Sequence, residues 1–240
     1  MIVRLMTGKT PEQTQSLANW QAPSIPARQP LTGNYCSLYP LGPEHAEPLF
    51  KAFSENHAKE HWTYLPYGPF ASLPEFEEWL LSCANSDDTH FYCVCIKGAD
   101  GNTVPAGVAS YLRIKPDSGS IEVGHIHYSS LLQNTCAATE AMYLMMANAF
   151  SLGYRRYEWK CDALNEPSRQ AAVRLGFTFE GIFRQATVVK GRNRDTAWFS
   201  IIDSEWPELE RGYGRWLDAA NFDAQRVQAE RLQDCIGVAV

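Results

Sequence analysis

Three short stretches carry residue types that could do chemistry. The first, Ile121-Glu122-Val123-Gly124-His125-Ile126-His127-Tyr128, reads as a strand with a carboxylate two residues before a glycine. The two-residue period of a strand puts Glu122 and Gly124 on one face. Gly124 removes a side chain there, so a ligand can approach the backbone beside a proton acceptor. The second stretch, Gln133-Asn134-Thr135-Cys136-Ala137-Ala138-Thr139-Glu140-Ala141, runs small and polar residues directly into a helix. A helix start offers backbone N–H groups and the positive end of the dipole to an anion, and small side chains let a phosphate come close. The third, Asn165-Glu166-Pro167-Ser168, sets Asn165 and Ser168 within one helical turn, both polar groups with capping or mechanistic uses.

Each stretch alone also has a plainer reading. A single Glu on a strand is usually a solvated edge residue, and Asn-x-x-Ser more often caps a helix than catalyses. His125 and His127, taken with Cys93 and Cys95, are metal-ligating types. The expected strand order places a third strand between the two pairs, ~9 to 10 Å at ~4.8 Å per strand. Zinc needs bonds near ~2.0 to 2.3 Å, so no metal is expected from them. Cys161 has no histidine beside it in sequence to act as base, so it reads as a small packing residue, as does Cys136. Met142, Met145 and Met146 read as ordinary helix core.

The elements that must position these residues follow from periodicity. Pro11, Pro23, Pro26 and Pro30, among Gln, Ala and Ser, make residues 1–33 an extended arm that wraps the domain or mediates dimer contacts. Alternation begins at Tyr35, Ser37 and Tyr39. Pro43 and Glu44 open a helix bearing Leu49, Phe50 and Phe53, and Ser72 with Glu75 forms a capping box ahead of Phe76, Trp79, Leu80 and Leu81. The aromatic connection His61 to Phe70 is either a substrate lid or a loop packed on its own rings. His90 to Ile96, Val104 to Ile114 and Ile121 to Tyr128 form an antiparallel meander, turning at Asp100-Gly101 and Asp117-Ser118-Gly119. A helix through Ala141, Leu144, Met145, Ala149 and Leu152 stops at Gly153. Then come a strand from Arg156 to Cys161, a helix from near Asn165 to Gly176, and strands Phe177 to Val189 and Thr196 to Ile202 joined by the polar turn Lys190 to Asp195. This order predicts an α/β (α+β) domain over 34–205 with a mixed sheet, followed by a helical extension, 206–240, carrying Leu209, Trp216 and Leu217.

Composition sets the outer limits. With 45% hydrophobic and 20% charged residues, and 11 Phe, 11 Tyr and 7 Trp, the 240-residue chain can bury a large core. The 27 acidic against 21 basic residues, net -6, give no electrostatic footprint for nucleic acid or an anionic membrane, and favour a cationic ligand. Seven scattered cysteines and no adequate hydrophobic leader at Met1 to Met6 point to reduced thiols in a cytoplasmic protein, and no window approaches a membrane span.

Taken together and in order, the segments are similar to the GNAT superfamily of acetyl-CoA-dependent N-acetyltransferases, and within it to the ribosomal-protein N-terminal acetyltransferases. The pattern is a strand with Glu122-x-Gly124, Gln133 leading to Ala138-Thr139-Glu140-Ala141, Asn165-x-x-Ser168, Leu175-Gly176-Phe177 and Glu180-Gly181-x-x-Arg184. The resemblance covers roughly Tyr35 to Ile202 and implies a mostly antiparallel central sheet flanked by helices. It implies direct acetyl transfer from acetyl-CoA to a primary amine, either a protein N-terminus or a small molecule. It makes Glu122 the general base and Ser168 the general acid. Backbone groups of Ile126, His127 and Tyr128 would meet the pantetheine arm, with a strand N–H near Ile126 or His127 polarising the carbonyl. Gln133, Asn134, Thr135, Cys136, Ala137, Ala138 and Thr139 would cradle the pyrophosphate, and Asn165 would hydrogen-bond the coenzyme. Cys136 replaces the first glycine of the family's phosphate loop, and Asn134 stands where a basic residue is frequent. These departures motivate a second reading, a non-catalytic acyl-CoA-binding or protein-interaction module of the same fold.

Overall fold

The computed structural model describes residues 16–54, 62–98, 101–223 and 227–237. Pro11 of the arm, His61 of the aromatic connection and Asp100 of the first hairpin turn lie outside them. Eight strands are found: β1 (Leu31–Thr32), β2 (Cys36–Pro40), β3 (His90–Lys97), β4 (Thr103–Lys115), β5 (Ser120–Tyr128), β6 (Arg156–Asp162), β7 (Thr178–Val189) and β8 (Arg192–Ile202). They form one sheet in the order β1-β2-β3-β4-β5-β6-β8-β7. Every neighbouring pair is antiparallel except β5 and β6, which run parallel.

Both faces of the sheet are covered. Alternate residues of β3 serve two cores: Phe91, Cys93 and Cys95 pack with α1 (Ala46–Ser54) and α2 (Leu73–Ala84), and Tyr92 and Val94 face the other way. The opposite core is filled by α3 (Cys136–Ser151), α4 (Glu166–Arg174), α5 (Trp206–Trp216) and α6 (Leu232–Ile236). The chain after 205 thus completes the main core, with Trp206, Leu209, Tyr213, Trp216 and Ile236 in the same cluster as the sheet. Burying a large apolar side chain of this kind contributes about 1.5–3 kcal/mol. Gly212 permits the α5–α6 contact, because a Cβ there would stand 2.6 Å from the Cys235 carbonyl oxygen.

The described part of the arm lies along the domain. Tyr154 donates to the Ser24 carbonyl at 3.2 Å, Tyr92 to that of Ala27 at 3.2 Å, and Arg28 to that of Ala84 at 3.1 Å. Its end is fixed by Glu140 of α3, whose carboxylate accepts the backbone N–H groups of Asn34, Tyr35 and Cys36 at 2.7, 2.7 and 2.8 Å. A buried carboxylate with three such donors has its desolvation offset.

Three details differ from the sequence expectation. The α1 region opens with a 3-10 turn, Pro43–His45, before the helix proper. At α2, Ser72 Oγ accepts from Glu75 N–H at 3.4 Å, while the Glu75 carboxylate reaches past Ser72 to Ala71 N–H at 2.8 Å. The expected polar turn from Lys190 to Asp195 is only Lys190-Gly191, with φ of 48° and 74°, and β8 begins at Arg192. Two left-handed residues make the tight hairpin turn that matches strand twist, so the polar run Arg192-Asn193-Arg194-Asp195 is strand.

Candidate active site

The site arises where β5 and β6 part. Their parallel pairing runs from Ser120 opposite Arg156 to Val123 opposite Trp159 and then ends. On its other edge β5 stays paired with β4, but through a bulge: Val108 and Ser110 of β4 face His127 and Gly124, leaving one intervening residue on β4 against two on β5. His125 takes φ 51° at this bulge. A bulge bends the strand and re-aims backbone groups. The edge of 124–128 is thereby presented to the gap opened by β6.

Two cavities occupy that gap. The larger, about 860 Å³, and the smaller, about 360 Å³, share Ile126, Trp159, Asn165, Pro167 and Ser168. Ile126, His127, Tyr128, Asn165 and every residue from Gln133 to Thr139 except Ala137 line the larger one. Ala137 turns into the core. The His127 ring also points away, stacked on Trp62 at 3.9 Å, which leaves its backbone to face the cavity.

The local geometry of the larger cavity suits a long anionic ligand. Thr135 caps α3, its Oγ1 accepting from Ala138 N–H at 3.2 Å and donating to the Leu132 carbonyl at 2.7 Å. Cys136 is the first helical residue, so its backbone stands where a helix start presents donors, and its side chain is buried. Asn134 adopts φ 58°, and Gln133 Nε2 donates to the Tyr128 carbonyl at 2.7 Å. A cation comes from elsewhere: Arg174 of α4 lines the cavity and donates to Thr139 Oγ1 at 2.8 Å. Tyr128 Oη is buried against the same cavity with no hydrogen-bond partner among the described residues. Trp216 and Phe222 form part of the wall, their rings 5.1 Å apart and edge to face.

Glu122 and Lys160 line the smaller cavity. Lys160 Nζ is 2.6 Å from Glu122 Oε2 and 3.0 Å from Glu158, and Arg113 Nε is 3.2 Å from the same Glu122 Oε2. Arg156 continues the line, 2.7 Å from Glu158 and 2.7 Å from Glu180. Six charges therefore alternate from Arg113 to Glu180. Burial pushes Glu122 above the usual carboxylate range against the pull of Lys160 and Arg113. Glu158, also buried, is nonetheless held below that range by Arg156 and Lys160. Both cations sit on Oε2 of Glu122. Its Oε1 lies toward Gly124, 3.8 Å from where a Cβ on that residue would be. His125 lines the same cavity, its Nδ1 3.0 Å from Tyr67 Oη, and burial together with Arg194 lowers its pKa to about 4, so the ring is neutral near pH 7.

Asn165 is a helix cap, its Oδ1 accepting from Ser168 N–H at 3.2 Å, and it also borders both cavities. Ser168 Oγ accepts the Trp159 indole N–H at 3.1 Å. That bond would stabilise the oxygen when it loses its proton, and the Ser168 side chain also hydrogen-bonds the Cys161 thiol. The aromatic connection serves two ends. Trp62, Tyr67 and Phe70 pack with Trp79, whereas Tyr64, Leu65 and Pro66 line the smaller cavity and Tyr64 Oη donates to the Leu164 carbonyl at 3.1 Å.

Cys93 and Cys95 meet neither His125 nor His127 in a ligand cluster. They converge instead on His45, all three buried with ligand atoms within 4.8 Å of one another and the two sulfurs 3.6 Å apart. Two thiols and an imidazole are a donor set a zinc-like cation accepts. The His45 Nδ1, however, accepts the Gly42 N–H at 3.0 Å. His45 lies far from both cysteines in sequence, and only the packing of the 3-10 turn on β3 brings it there.

Residues 37–178 match the acetyltransferase (GNAT) domain family. A GCN5-related N-acetyltransferase from Brucella melitensis is 48% identical, with a TM-score of 0.88, over 91% of this chain and 99% of that one. A probable GNAT-family acetyltransferase from Chromobacterium violaceum is 41% identical, TM-score 0.76, over 84% and 100%. A structure described as a putative ribosomal-protein-serine acetyltransferase from Vibrio cholerae shares the fold at 18% identity, TM-score 0.61, over 72% and 97%. No curated protein matches the chain. The open strand edge beside a capped helix start, the family match over more than half the sequence and the high identity to two family structures lead to one conclusion: this chain belongs to the GNAT acetyltransferase family.

Proposed function

We propose that the protein transfers the acetyl group of acetyl-CoA directly to a primary amine, with the coenzyme in the larger cavity and the amine in the smaller. The observation that carries this reading is the junction of the two cavities at Ile126, Trp159, Asn165, Pro167 and Ser168. Acetyl-CoA supplies the acyl group as a thioester. The first turn of α3 and Arg174 hold its phosphates.

An alkyl ammonium must lose a proton before it can attack. Glu122 Oε1, directly or through a water, takes that proton; burial has raised its affinity for one, and Lys160 and Arg113 hold the carboxylate in place through Oε2. A backbone N–H of the bulge near Ile126 or His127 polarises the carbonyl as its oxygen gains charge. Ser168 gives its proton to the departing sulfur while the Trp159 indole steadies the serine oxygen. The acyl C–S bond breaks, the new C–N bond forms, the amine's second proton returns to Ser168 through solvent, and Glu122 releases the first to solvent, so both groups end as they began. Cys161 stays outside this scheme, because burial raises its thiol pKa and a neutral thiol is a poor nucleophile.

The acceptor is an amine-bearing small molecule or a peptide N-terminus. Cytoplasmic residence is supported by seven free, buried thiols. No described helix is long and apolar enough to cross a membrane. A homodimer would find its apolar surface on the edge strand β7, where Phe179, Ile182, Phe183 and Val188 are exposed. Calorimetry of acetyl-CoA binding followed by CoA release across an amine panel tests the function. Binding with amine-dependent release is expected, whereas binding without release on any amine supports the non-catalytic module.

A further inference from the structure

The charges around the smaller cavity do not all cancel. Arg113, Glu122, Lys160, Glu158, Arg156 and Glu180 neutralise one another in sequence. Arg194 stands apart. It lines the cavity from β8, a place it owes to the tight Lys190-Gly191 turn, which makes residue 194 strand and pairs it with Thr187. No carboxylate among the described residues lies within 4.0 Å of its guanidinium, and its Nε is buried without a hydrogen-bond partner. The neighbouring Asp195 is committed elsewhere, accepting from Gln185 N–H at 2.7 Å and Asn193 Nδ2 at 3.0 Å. Asp162 also lines the cavity, its Oδ1 accepting Leu164 N–H at 2.8 Å. His125 is neutral near pH 7 and adds no second positive charge beside Arg194.

A buried guanidinium nitrogen without a partner is costly, and its planar fork matches a carboxylate or phosphate. We propose that the acceptor is an amine that also carries an oxyanion group, and that Arg194 binds that group while the amine reaches the junction at Ser168. Asp162 complements the ammonium of such a zwitterion as it enters. The net acidity of the chain favours cations in general, but the cavity charge selects an acceptor with both signs. This rests on the acetyl-transfer reading above for the identity of the smaller cavity.

Matched acceptor pairs test the proposal: O-phosphoethanolamine against ethanolamine for phosphate, and β-alanine against propylamine for carboxylate. At least one anionic member should exceed its neutral partner in kcat/KM by about tenfold or more. Arg194→Gln should raise the KM of that acceptor about 10- to 100-fold, leave the KM for acetyl-CoA unchanged and abolish the preference, with Arg194→Lys recovering part. Neutral amines that match or exceed both anionic ones would overturn the proposal while leaving acetyl transfer intact. So would an Arg194→Gln loss of kcat that is equal for all four. If no amine is acetylated, calorimetry with O-phosphoethanolamine and β-alanine on the CoA-loaded protein separates the two claims. Binding lost in Arg194→Gln keeps the oxyanion site and removes the transfer reading; no binding of either removes both.

Discussion

Lys160 and Glu122 form a 2.6 Å ion pair across the parallel strands β5 and β6, at the last turn of pairing before those strands part. Lys160 lowers the proton affinity that burial raises in Glu122. As a base, Glu122 works only when ionised, so activity falls as pH drops through its pKa. Lys160→Met removes a lowering influence and should move the acidic limb of the kcat/KM profile to higher pH. A pH–rate series on wild type and variant reads the shift directly; an unmoved limb would assign it to another group.

Ser168 and Trp159 are predicted to act as a unit. Ser168→Ala should lower kcat by roughly 10- to 100-fold, and Trp159→Phe, which keeps the ring but loses the 3.1 Å N–H bond, by less. The double variant should be no slower than Ser168→Ala, since the indole acts through the serine oxygen. Steady-state kinetics at saturating acetyl-CoA supply the comparison.

Arg174 lines the larger cavity near the start of α3, where Asn134 offers no cation. Arg174→Leu should weaken acetyl-CoA binding by about 10- to 100-fold, as expected from loss of a charge-assisted contact of ~1.5–3 kcal/mol. Calorimetry should show the loss shrinking at high salt. Equal affinity in the two proteins would place the phosphates elsewhere.

Glu140 ties α3 to the start of β2 through three backbone donors. Glu140→Ala leaves those donors without their acceptor and should destabilise the fold by about 3–5 kcal/mol. The urea midpoint should fall with little change in slope.

His125 makes stability depend on pH in a defined window. Its pKa is lowered from 6.5 to about 4 by burial, so the unfolded chain takes up a proton first. The stabilisation is fully present above pH 6.5 and disappears as pH falls through about 4, a change of up to about 3 kcal/mol. His125→Asn should flatten the denaturation midpoint between those pH values.

Much of the fold was legible because its elements carry local signals. The β3–β5 meander alternates, Ser72 and Thr135 cap their helices, and Gly153 and Gly176 follow helix ends with φ of 95° and 92°. The residues from Gln133 to Thr139 stood out for the same reason, lying consecutively at a helix start, and all but Ala137 line the larger cavity. What stayed hidden depends on contacts between distant segments. Glu158-x-Lys160 becomes a partner for Glu122 only through a parallel register that ends at Trp159. Arg194 reads as a turn residue until two left-handed residues shorten the turn. Arg174 and His45 reach their sites through packing alone. Short β1 carries too few residues for any periodicity.

The most direct test of the central claim is CoA release by the purified protein at saturating acetyl-CoA with an accepted amine, wild type against Glu122→Gln and Ser168→Ala. The account predicts amine-dependent release by the wild type, a fall in kcat of about 10²- to 10³-fold for Glu122→Gln and a smaller fall for Ser168→Ala, with acetyl-CoA binding retained in both. Wild-type turnover in both variants would contradict it.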